Sequence, residues 1–199
     1  MRLMKSLNMN YKIGIFGSSA GEIDTNSEEK AKELGHILAS YKIVIITGAC
    51  SGLPYLAANE AHKNGNPVWG YSPKLDLEGQ KQFTPKDDMS IYKKLFFVSK
   101  NFELCQDEQA CKKYRNVIST ANCDAGIIIS GRWGTMNEFT NLFDMGKVIG
   151  VLTGTNGVAD ELENLNEKIK KKSKATIISG SKPQNLIKEV IEELNIRNK

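Results

Sequence analysis

The sequence predicts an α/β fold in which a doubly wound parallel sheet carries helices on both faces, within a single domain. The first observation is that short apolar runs and amphipathic segments alternate along nearly the whole chain. The second is that apolar runs such as KIVIITG at 42–48 are β-branched throughout, which is typical of strands covered on both faces. The third is size, because 199 residues, 40% of them hydrophobic, suit one domain with one sizeable core.

The first half of the chain is predicted to hold three strands and two helices. KIGIFGSS, at 12–19, is an apolar run that ends in glycine and serine. In the helix that follows, Ser27 is the expected N-cap, since acidic residues come directly after it. Gly65 is expected to end the second helix. The predicted strands are 12–19, 42–48 and 67–73, and the predicted helices are 27–40 and 53–65.

The second half repeats the alternation after a less regular stretch. Residues 74–89 show no clear period and are predicted to be a loop. Pro183 falls in the first turn of the closing helix, where proline is well tolerated. The predicted strands are 94–100, 124–130, 147–154 and 175–180, and the predicted helices are 107–122, 134–146, 157–173 and 183–195.

Domain organisation and location follow from composition. One domain is expected to span residues 11–199, with residues 1–10 as an N-terminal extension. No apolar run is long enough to cross a membrane, and the N-terminus lacks the apolar segment of a secretory signal, so we expect a cytoplasmic protein with no membrane partner. The net charge of +4 suits a small anionic ligand better than a nucleic-acid track.

Metal and disulfide chemistry find little support in the sequence. The four cysteines include no C-x-x-C pair, and there are only two histidines, so a zinc site is not predicted and the cysteines are expected to be reduced. His36 and His62 both lie in helical patterns, where a structural or solvent-facing role is expected rather than that of a catalytic base. We predict no metal and no cofactor.

Glycine-rich turns follow three of the predicted strands. They are GSSAGE at 17–22, TGACSGLP at 47–54 and SGRWGTMNE at 130–138. Because ligands of doubly wound sheets bind at the carboxyl ends of the strands, three such turns could converge on one phosphate-bearing ligand. Neither G-x-G-x-x-G nor G-x-x-x-x-G-K-[ST] occurs, which argues against a nicotinamide enzyme and a P-loop ATPase. The predicted phosphate- and nucleotide-binding residues are Gly17, Ser18, Ser19, Gly48, Gly52, Ser130, Gly131, Arg132, Trp133, Gly134 and Thr135.

Glu138 has two interpretations, which its spacing alone weighs equally. It follows Thr135 by three residues, the spacing of a capping box in which Thr135 caps the helix and Glu138 reaches back. In the other interpretation, its carboxylate lies over the ligand. Trp133, in the same turn, is expected either to pack in the core or to stack on a base.

These motifs resemble those of the Lonely Guy (LOG) family, once described as lysine decarboxylase-like. SGRWGTMNE resembles the family signature P-G-G-x-G-T-x-x-E, and TGACSGLPYLAANEA resembles its T-G-G-x-x-G-x-M turn. YRNVISTANCDAGIII resembles the stretch in which an arginine precedes a buried strand. The resemblance covers residues 11–152. It implies a Rossmann-like, nucleotide-binding fold that is usually dimeric. In members that are enzymes, it implies hydrolysis of a nucleoside 5′-monophosphate to free base and ribose 5-phosphate.

The resemblance also implies roles for individual residues. The family's arginine corresponds to Arg115 and its glutamate to Glu138, and both are predicted to be catalytic. The family's phosphate turn corresponds to Gly131, Gly134 and Thr135. In N-glycosidic cleavage, the Glu138 carboxylate would stabilise an oxocarbenium-like sugar or orient water, and Arg115 would offset the charge that builds up on the leaving base. Without the resemblance, Arg115 would be interpreted as a surface or salt-bridging residue.

Two departures from the family pattern leave a different class of function open. Ser130 stands where the family has proline, and Arg132 stands where it has its second glycine. Arg132 either adds a charge for a phosphate or blocks the close approach that glycine allows. Some relatives resemble carriers of the molybdenum cofactor, so the alternative is a non-catalytic nucleotide- or cofactor-binding protein. The decarboxylase description would require pyridoxal phosphate, and no lysine-centred site supports it.

Two structural features are predicted around the site. The segment 83–89 is a candidate lid. Apolar residues that look exposed, namely Leu142, Phe143 and Met145, suggest a face for a homodimer, although their periodicity alone does not separate such a face from the core.

Overall fold

The structure, a computed structural model, describes residues 11–198 and confirms the predicted α/β fold. The predicted extension at residues 1–10 lies outside the described residues. The strands are β1 (Lys12–Gly17), β2 (Val44–Thr47), β3 (Val68–Tyr71), β4 (Tyr92–Phe96), β5 (Ala125–Ile129), β6 (Val148–Leu152) and β7 (Thr176–Gly180). The helices are α1 (Thr25–Leu38), α2 (Leu53–Lys63), α3 (Leu77–Phe83), α4 (Glu108–Ala121), α5 (Trp133–Asp144), α6 (Leu162–Ile169) and α7 (Pro183–Arg197).

The seven strands form one parallel sheet in the order β4-β3-β2-β1-β5-β6-β7. β1 occupies the middle, where Ile13 pairs with Ile45 of β2 on one side and Ala125 of β5 on the other. From β1 the chain builds outwards to β4 and then returns to place β5 on the other side of β1. This reversal between β1 and β5 is the point at which doubly wound sheets open a ligand crevice.

An apolar core lies on each face of the sheet. The face covered by α1, α2 and α7 buries residues such as Leu34, Ala57 and Val190. The face covered by α4, α5 and α6 buries Phe16 and Leu142, among others. Central strands β5 and β6 are buried along their whole length, which accounts for their continuous apolar sequences.

The start of α1 differs from the prediction. The N-cap is Asp24 rather than Ser27, and the Asp24 carboxylate accepts a hydrogen bond of 2.9 Å from the Ser27 backbone N–H. Ser27 is buried in the first turn, where its hydroxyl lies 2.6 Å from the same carboxylate. Both residue types cap helices well, so the prediction chose the wrong one of two nearby candidates.

The segment predicted to be a loop at 74–89 contains a helix. α3 is capped by Asp76, whose carboxylate accepts from the Gly79 N–H at 2.9 Å. It buries one polar side chain, Gln80, whose amide donates to the Ala49 carbonyl at 2.9 Å. A helix anchored by a polar residue has no apolar period, and for this reason the prediction was wrong here.

Two other elements differ from their predicted bounds. β4 begins at Tyr92, two residues before the predicted start, because this edge strand exposes Lys93 and Lys94 instead of burying a continuous apolar run. The predicted helix at 157–173 is a 3-10 turn, Gly157–Asp160, followed by the shorter α6. α6 ends where Lys170 adopts the left-handed φ of 49°.

Candidate functional site

A cavity of about 530 Å³ opens at the carboxyl ends of the central strands. Its walls come from the β1–α1 loop, the β2–α2 turn, the end of α3 and the facing helices α4 and α5. This is the crevice that the strand order predicts, and its volume is in the usual range for small-molecule sites. The predicted site residues that line it are Gly17, Ser18, Ser19, Arg115, Arg132, Trp133, Gly134, Thr135 and Glu138.

Four other predicted residues lie behind the cavity wall: Gly48, Gly52, Ser130 and Gly131. The Gly48 carbonyl accepts a hydrogen bond from Arg115, and a methyl group on Gly48 would collide with the Arg115 guanidinium. Gly52 has a φ of 81° and lies against the backbone of Ser18, to which the Leu53 N–H donates at 2.9 Å. These glycines therefore position lining residues.

The turn before α5 is held by hydrogen bonds to the loops that follow β1 and β6. Ser130 and Gly131 have left-handed φ angles of 53° and 105°. The Gly131 N–H donates to Ser18 Oγ at 3.1 Å, and the Ser130 N–H donates to Thr155 Oγ1 at 2.8 Å. These bonds set the direction in which α5 leaves the sheet.

α5 presents an uncapped N-terminus to the cavity. The helix begins at Trp133, and its N-cap residue, Arg132, makes no side-chain capping bond. Thr135 is therefore the third helical residue, and the capping box, which was one of the two interpretations of Glu138, does not form. The first-turn amides carry the positive end of the helix dipole, and Gly134 and Thr135 line the cavity, an arrangement that suits an anion.

Glu138 lies one turn further along α5, on the cavity side. It is 7% exposed, and no hydrogen bond reaches its carboxylate from the described residues. Burial raises its pKa to about 7, while the charges of Arg115 and Lys113 act in the opposite direction. A carboxyl group with this pKa exchanges a proton readily near neutral pH, as a general acid or base requires.

Arg115 approaches the same region from α4. It is 8% exposed, lines the cavity and donates from Nη1 to the Gly48 carbonyl. Its Nε has no hydrogen-bond partner among residues 11–198. Asn116, the next residue, donates to Asn137 Oδ1 at 3.0 Å and so ties α4 to α5. The structure thus brings together the two residues predicted to be catalytic, although 23 positions separate them in the sequence.

The cavity also contains residues that the sequence analysis missed. α4 contributes Gln109, Lys112 and Lys113, and the β2–α2 turn contributes Cys50 and Ser51. Burial raises the pKa of the Cys50 thiol, which disfavours its thiolate form. The two lysines precede Arg115 by less than one helical turn, and this clustering is the signal that could have identified them.

The residues predicted to form a lid lie at the cavity edge. Phe83 and Thr84 line it, and Asp87 accepts a hydrogen bond of 2.8 Å from Ser51 Oγ. Burial raises the pKa of Asp87. A lid role stays a prediction.

The apolar residues chosen as a dimer face differ in exposure. Leu142 is fully buried in the core, so of the two alternatives left open for it the structure supports the core. Phe143 is partly buried, and Met145 is 39% exposed. Trp133 is 84% exposed at the cavity mouth, so it does not pack in the core.

Comparison with known proteins places the chain in a family. The sequence profile of the SLOG cluster4 family matches residues 10–187. No curated protein matches the chain in sequence. Within residues 11–198, no helix is both long and apolar enough to cross a membrane.

Solved structures share the fold at low sequence identity. The molybdenum cofactor carrier protein of Chlamydomonas reinhardtii is 15% identical, with a TM-score of 0.67 over 94% of this chain and 99% of the other. The molybdenum cofactor binding protein of Rippkaea orientalis is 16% identical, with a TM-score of 0.66 over 94% and 99%. The single-stranded DNA-binding DNA processing protein A of Helicobacter pylori is 20% identical, with a TM-score of 0.62 over 96% and 84%.

Proposed function

Because this chain belongs to the SLOG cluster4 family, we propose that its cavity binds a nucleoside 5′-phosphate and hydrolyses the N-glycosidic bond to free base and ribose 5-phosphate. The observation that carries the proposal is the convergence of Glu138, Arg115 and the uncapped start of α5 in one cavity. The proposal includes the closer relation to the Lonely Guy enzymes that the sequence motifs indicate within this broader family.

The phosphate would bind at the start of α5. The free amides there supply hydrogen-bond donors, and Arg132 supplies a guanidinium whose shape matches a phosphate. Ser18 and Ser19 face the same position from the β1–α1 loop. A side chain on Gly134 would meet no atom within 4 Å, so packing does not demand glycine there, whereas a ligand close to the backbone would.

The sugar and base would lie above Arg115 and Glu138. As the bond to the base breaks, positive charge develops on the sugar, and the ionised Glu138 carboxylate would stabilise it and accept a proton from the attacking water. Electron density moves to the leaving base, where Arg115 would stabilise it. The water oxygen ends on the sugar carbon, one water proton passes to Glu138 and then to solvent, and the departing base takes up one proton from solvent, so that Glu138 returns to its ionised form. Trp133, at the mouth, offers an exposed ring on which the base would stack.

The test is incubation of the protein with a panel of nucleoside 5′-monophosphates, with chromatography of the free base and ribose 5-phosphate released. We expect release that falls about a thousandfold in Glu138→Gln, with the nucleotide Kd within about twofold of wild type. Glu189→Gln, an exposed change on α7, is the matched control and should keep full turnover. Full turnover in Glu138→Gln would remove Glu138 from the reaction.

A second candidate is a binding or carrier protein that uses the same cavity without chemistry. Arg132 favours it, because the arginine occupies the turn where the enzymes have glycine, and two molybdenum cofactor proteins share the fold. Absence of base release together with a nucleotide- or pterin-dependent rise in Tm would support this candidate.

The remaining partner predictions are part of the same proposal. We propose a small-molecule ligand rather than a nucleic acid, a cytoplasmic location and a homodimer. Because a protein with this fold binds single-stranded DNA, a gel-shift assay with a single-stranded oligonucleotide is the direct check of the ligand class. Sedimentation velocity measures the oligomeric state.

A further inference from the structure

Ser51 lines the cavity, but the proposed reaction gives it no role. It lies in the β2–α2 turn, is partly exposed and does not cap α2, whose N-cap residue is Gly52. The turn lies against the β1–α1 loop, because a methyl group on Gly52 would lie 2.7 Å from Ser19 Cα. Ser51 is therefore next to the loop whose two serines, Ser18 and Ser19, face the proposed phosphate position.

The same turn also borders the two residues proposed to be catalytic. Near its start, the Gly48 carbonyl accepts a hydrogen bond from Arg115. Cys50 directly precedes Ser51 and lines the cavity too. The charges of Arg115 and Glu138 both affect the pKa of the Cys50 thiol, so both lie near it. In a nucleoside 5′-phosphate the sugar connects the phosphate to the base, so the sugar is the part of the ligand that this turn would contact.

The hydroxyl group of Ser51 is left as a hydrogen-bond acceptor. Its Oγ donates to Asp87 Oδ2 at 2.8 Å, and an ionised carboxylate can only accept, so the hydroxyl hydrogen is committed to Asp87. No side chain or backbone N–H of residues 11–198 donates to Ser51 Oγ. A phosphate, which is mostly ionised at neutral pH, offers acceptors and does not match this group, whereas a sugar hydroxyl offers a hydrogen.

Asp87 is held in place behind Ser51. Its N–H donates to the Thr84 carbonyl at 3.1 Å, and the N–H of Asp88 donates to the Tyr55 hydroxyl at 2.8 Å. These bonds fix the segment after α3 against itself and against α2. Asp87 is not one of the residues that line the cavity, so it would act on a ligand through Ser51.

We propose that Ser51 determines sugar specificity: its Oγ accepts a hydrogen bond from the 2′-hydroxyl of a ribonucleotide, and Asp87 is the residue that positions it. The 2′-hydroxyl is the sugar hydroxyl next to the carbon whose bond to the base is broken, and the turn lies near Arg115 and Glu138, which would act on that bond. The inference rests on the proposed function, because it takes the 5′-phosphate to lie at the start of α5.

Calorimetric titration tests the inference in the Glu138→Gln variant, which should bind nucleotides without consuming them. The ligands are the 5′-monophosphates of adenosine, guanosine, cytidine and uridine, together with their 2′-deoxy and 3′-deoxy forms. For the preferred base, we expect the ribonucleotide to bind about tenfold more tightly than its 2′-deoxy form. The 3′-deoxy form, which keeps the 2′-hydroxyl, should bind within about twofold of the ribonucleotide.

Adding Ser51→Ala should reduce the preference for ribose to about twofold or less, with the Kd of the 2′-deoxy form nearly unchanged. Asp87→Asn should reduce the preference less, because an amide can donate to Ser51 as well as accept from it. Ser19→Ala is the matched control, since it removes a hydroxyl from the same cavity at the proposed phosphate position and should keep the tenfold preference. Melting curves verify that all variants are folded.

The outcomes separate this inference from the proposed function. Equal Kd values for the ribo- and 2′-deoxy forms, a preference that depends on the 3′-hydroxyl, or a preference that survives Ser51→Ala overturns the role of Ser51 and leaves the proposed function standing. Equal weakening of both sugars by Ser51→Ala also overturns it, because that result indicates a purely structural role. Absence of binding to every nucleotide overturns the proposed function itself, and the role of Ser51 with it.

Discussion

The helices on the two faces of the sheet bury different kinds of side chain. α1, α2 and α7 bury one polar side chain among them, Ser27. α4 and α5 bury six, which are Arg115, Asn116, Ser119, Thr120, Thr135 and Glu138. Both sets pack on the same sheet, whose central strands are buried and apolar, so the strands do not impose the difference. Polar burial costs free energy, and four of these six side chains, Arg115, Asn116, Thr135 and Glu138, line the ligand crevice. The fold thus separates the helices that stabilise it from those that form the site.

The largest effect on stability is expected on the apolar face. Leu34→Ala removes a fully buried side chain of α1 and should lower the free energy of unfolding by about 3 kcal/mol, because it leaves a cavity in a packed core. Urea denaturation measures the loss. Nucleotide affinity, measured below the unfolding transition, should stay at the wild-type value. A changed affinity would mean that the two faces are not independent.

The face of the sheet covered by α4 and α5 should lose stability as pH rises, whereas an ordinary ion pair loses stability as pH falls through the pKa of its acid. The pKa of Glu138 is raised to about 7, so the folded state holds its proton more tightly than the unfolded state does. The free energy of unfolding should therefore fall as pH rises from about 4.5 to about 7. Glu138→Gln removes this fall and should be more stable than wild type at pH 8, by at most about 3 kcal/mol. Below pH 4, the two proteins should be equally stable. Urea titrations from pH 4 to 8 measure both profiles, and parallel profiles would contradict the burial argument.

Alanine substitutions at two glycines of the third turn should separate an effect on stability from an effect on ligand affinity. Gly131→Ala places a methyl group 2.5 Å from the Thr135 side chain at a φ of 105° and should destabilise the protein by about 1–3 kcal/mol. Gly134→Ala meets no neighbouring atom and should stabilise α5 by about 0.5–1 kcal/mol while weakening ligand binding. Melting curves and calorimetric titration of both variants provide the comparison. Tighter binding by Gly134→Ala would show that the ligand does not approach this backbone.

The smallest effect on stability is expected at the cavity mouth. Trp133→Ala removes a side chain that is 84% exposed and should change the free energy of unfolding by no more than about 0.5 kcal/mol. Affinity for an aromatic ligand should fall by about 1–3 kcal/mol if the ring stacks on a base, and Trp133→Phe should recover most of it. Quenching of tryptophan fluorescence on ligand addition reports the contact directly. Unchanged affinity in the alanine variant would exclude stacking.

Most of the crevice could be predicted because its signals are local in sequence. Glycine turns after apolar strands are visible in the chain, and a parallel sheet brings the ends of its strands to one edge. Lys112 and Lys113 were not predicted to line the cavity, because lysines on an amphipathic helix usually belong to its solvated face. The helix α3 was not predicted because its one buried side chain, Gln80, is polar and therefore leaves no apolar period in the sequence.

By itself, the sequence determined the fold class, the position of the three turns and the apolar strands, because these depend on residue type and on near neighbours. Only the tertiary structure decided that Glu138 faces a cavity instead of capping its helix, since this depends on where α5 begins. It also decided that Gly48 makes room for Arg115, which lies 67 residues away along the chain. Contacts over such distances are set by the packing of whole elements, which no local pattern encodes.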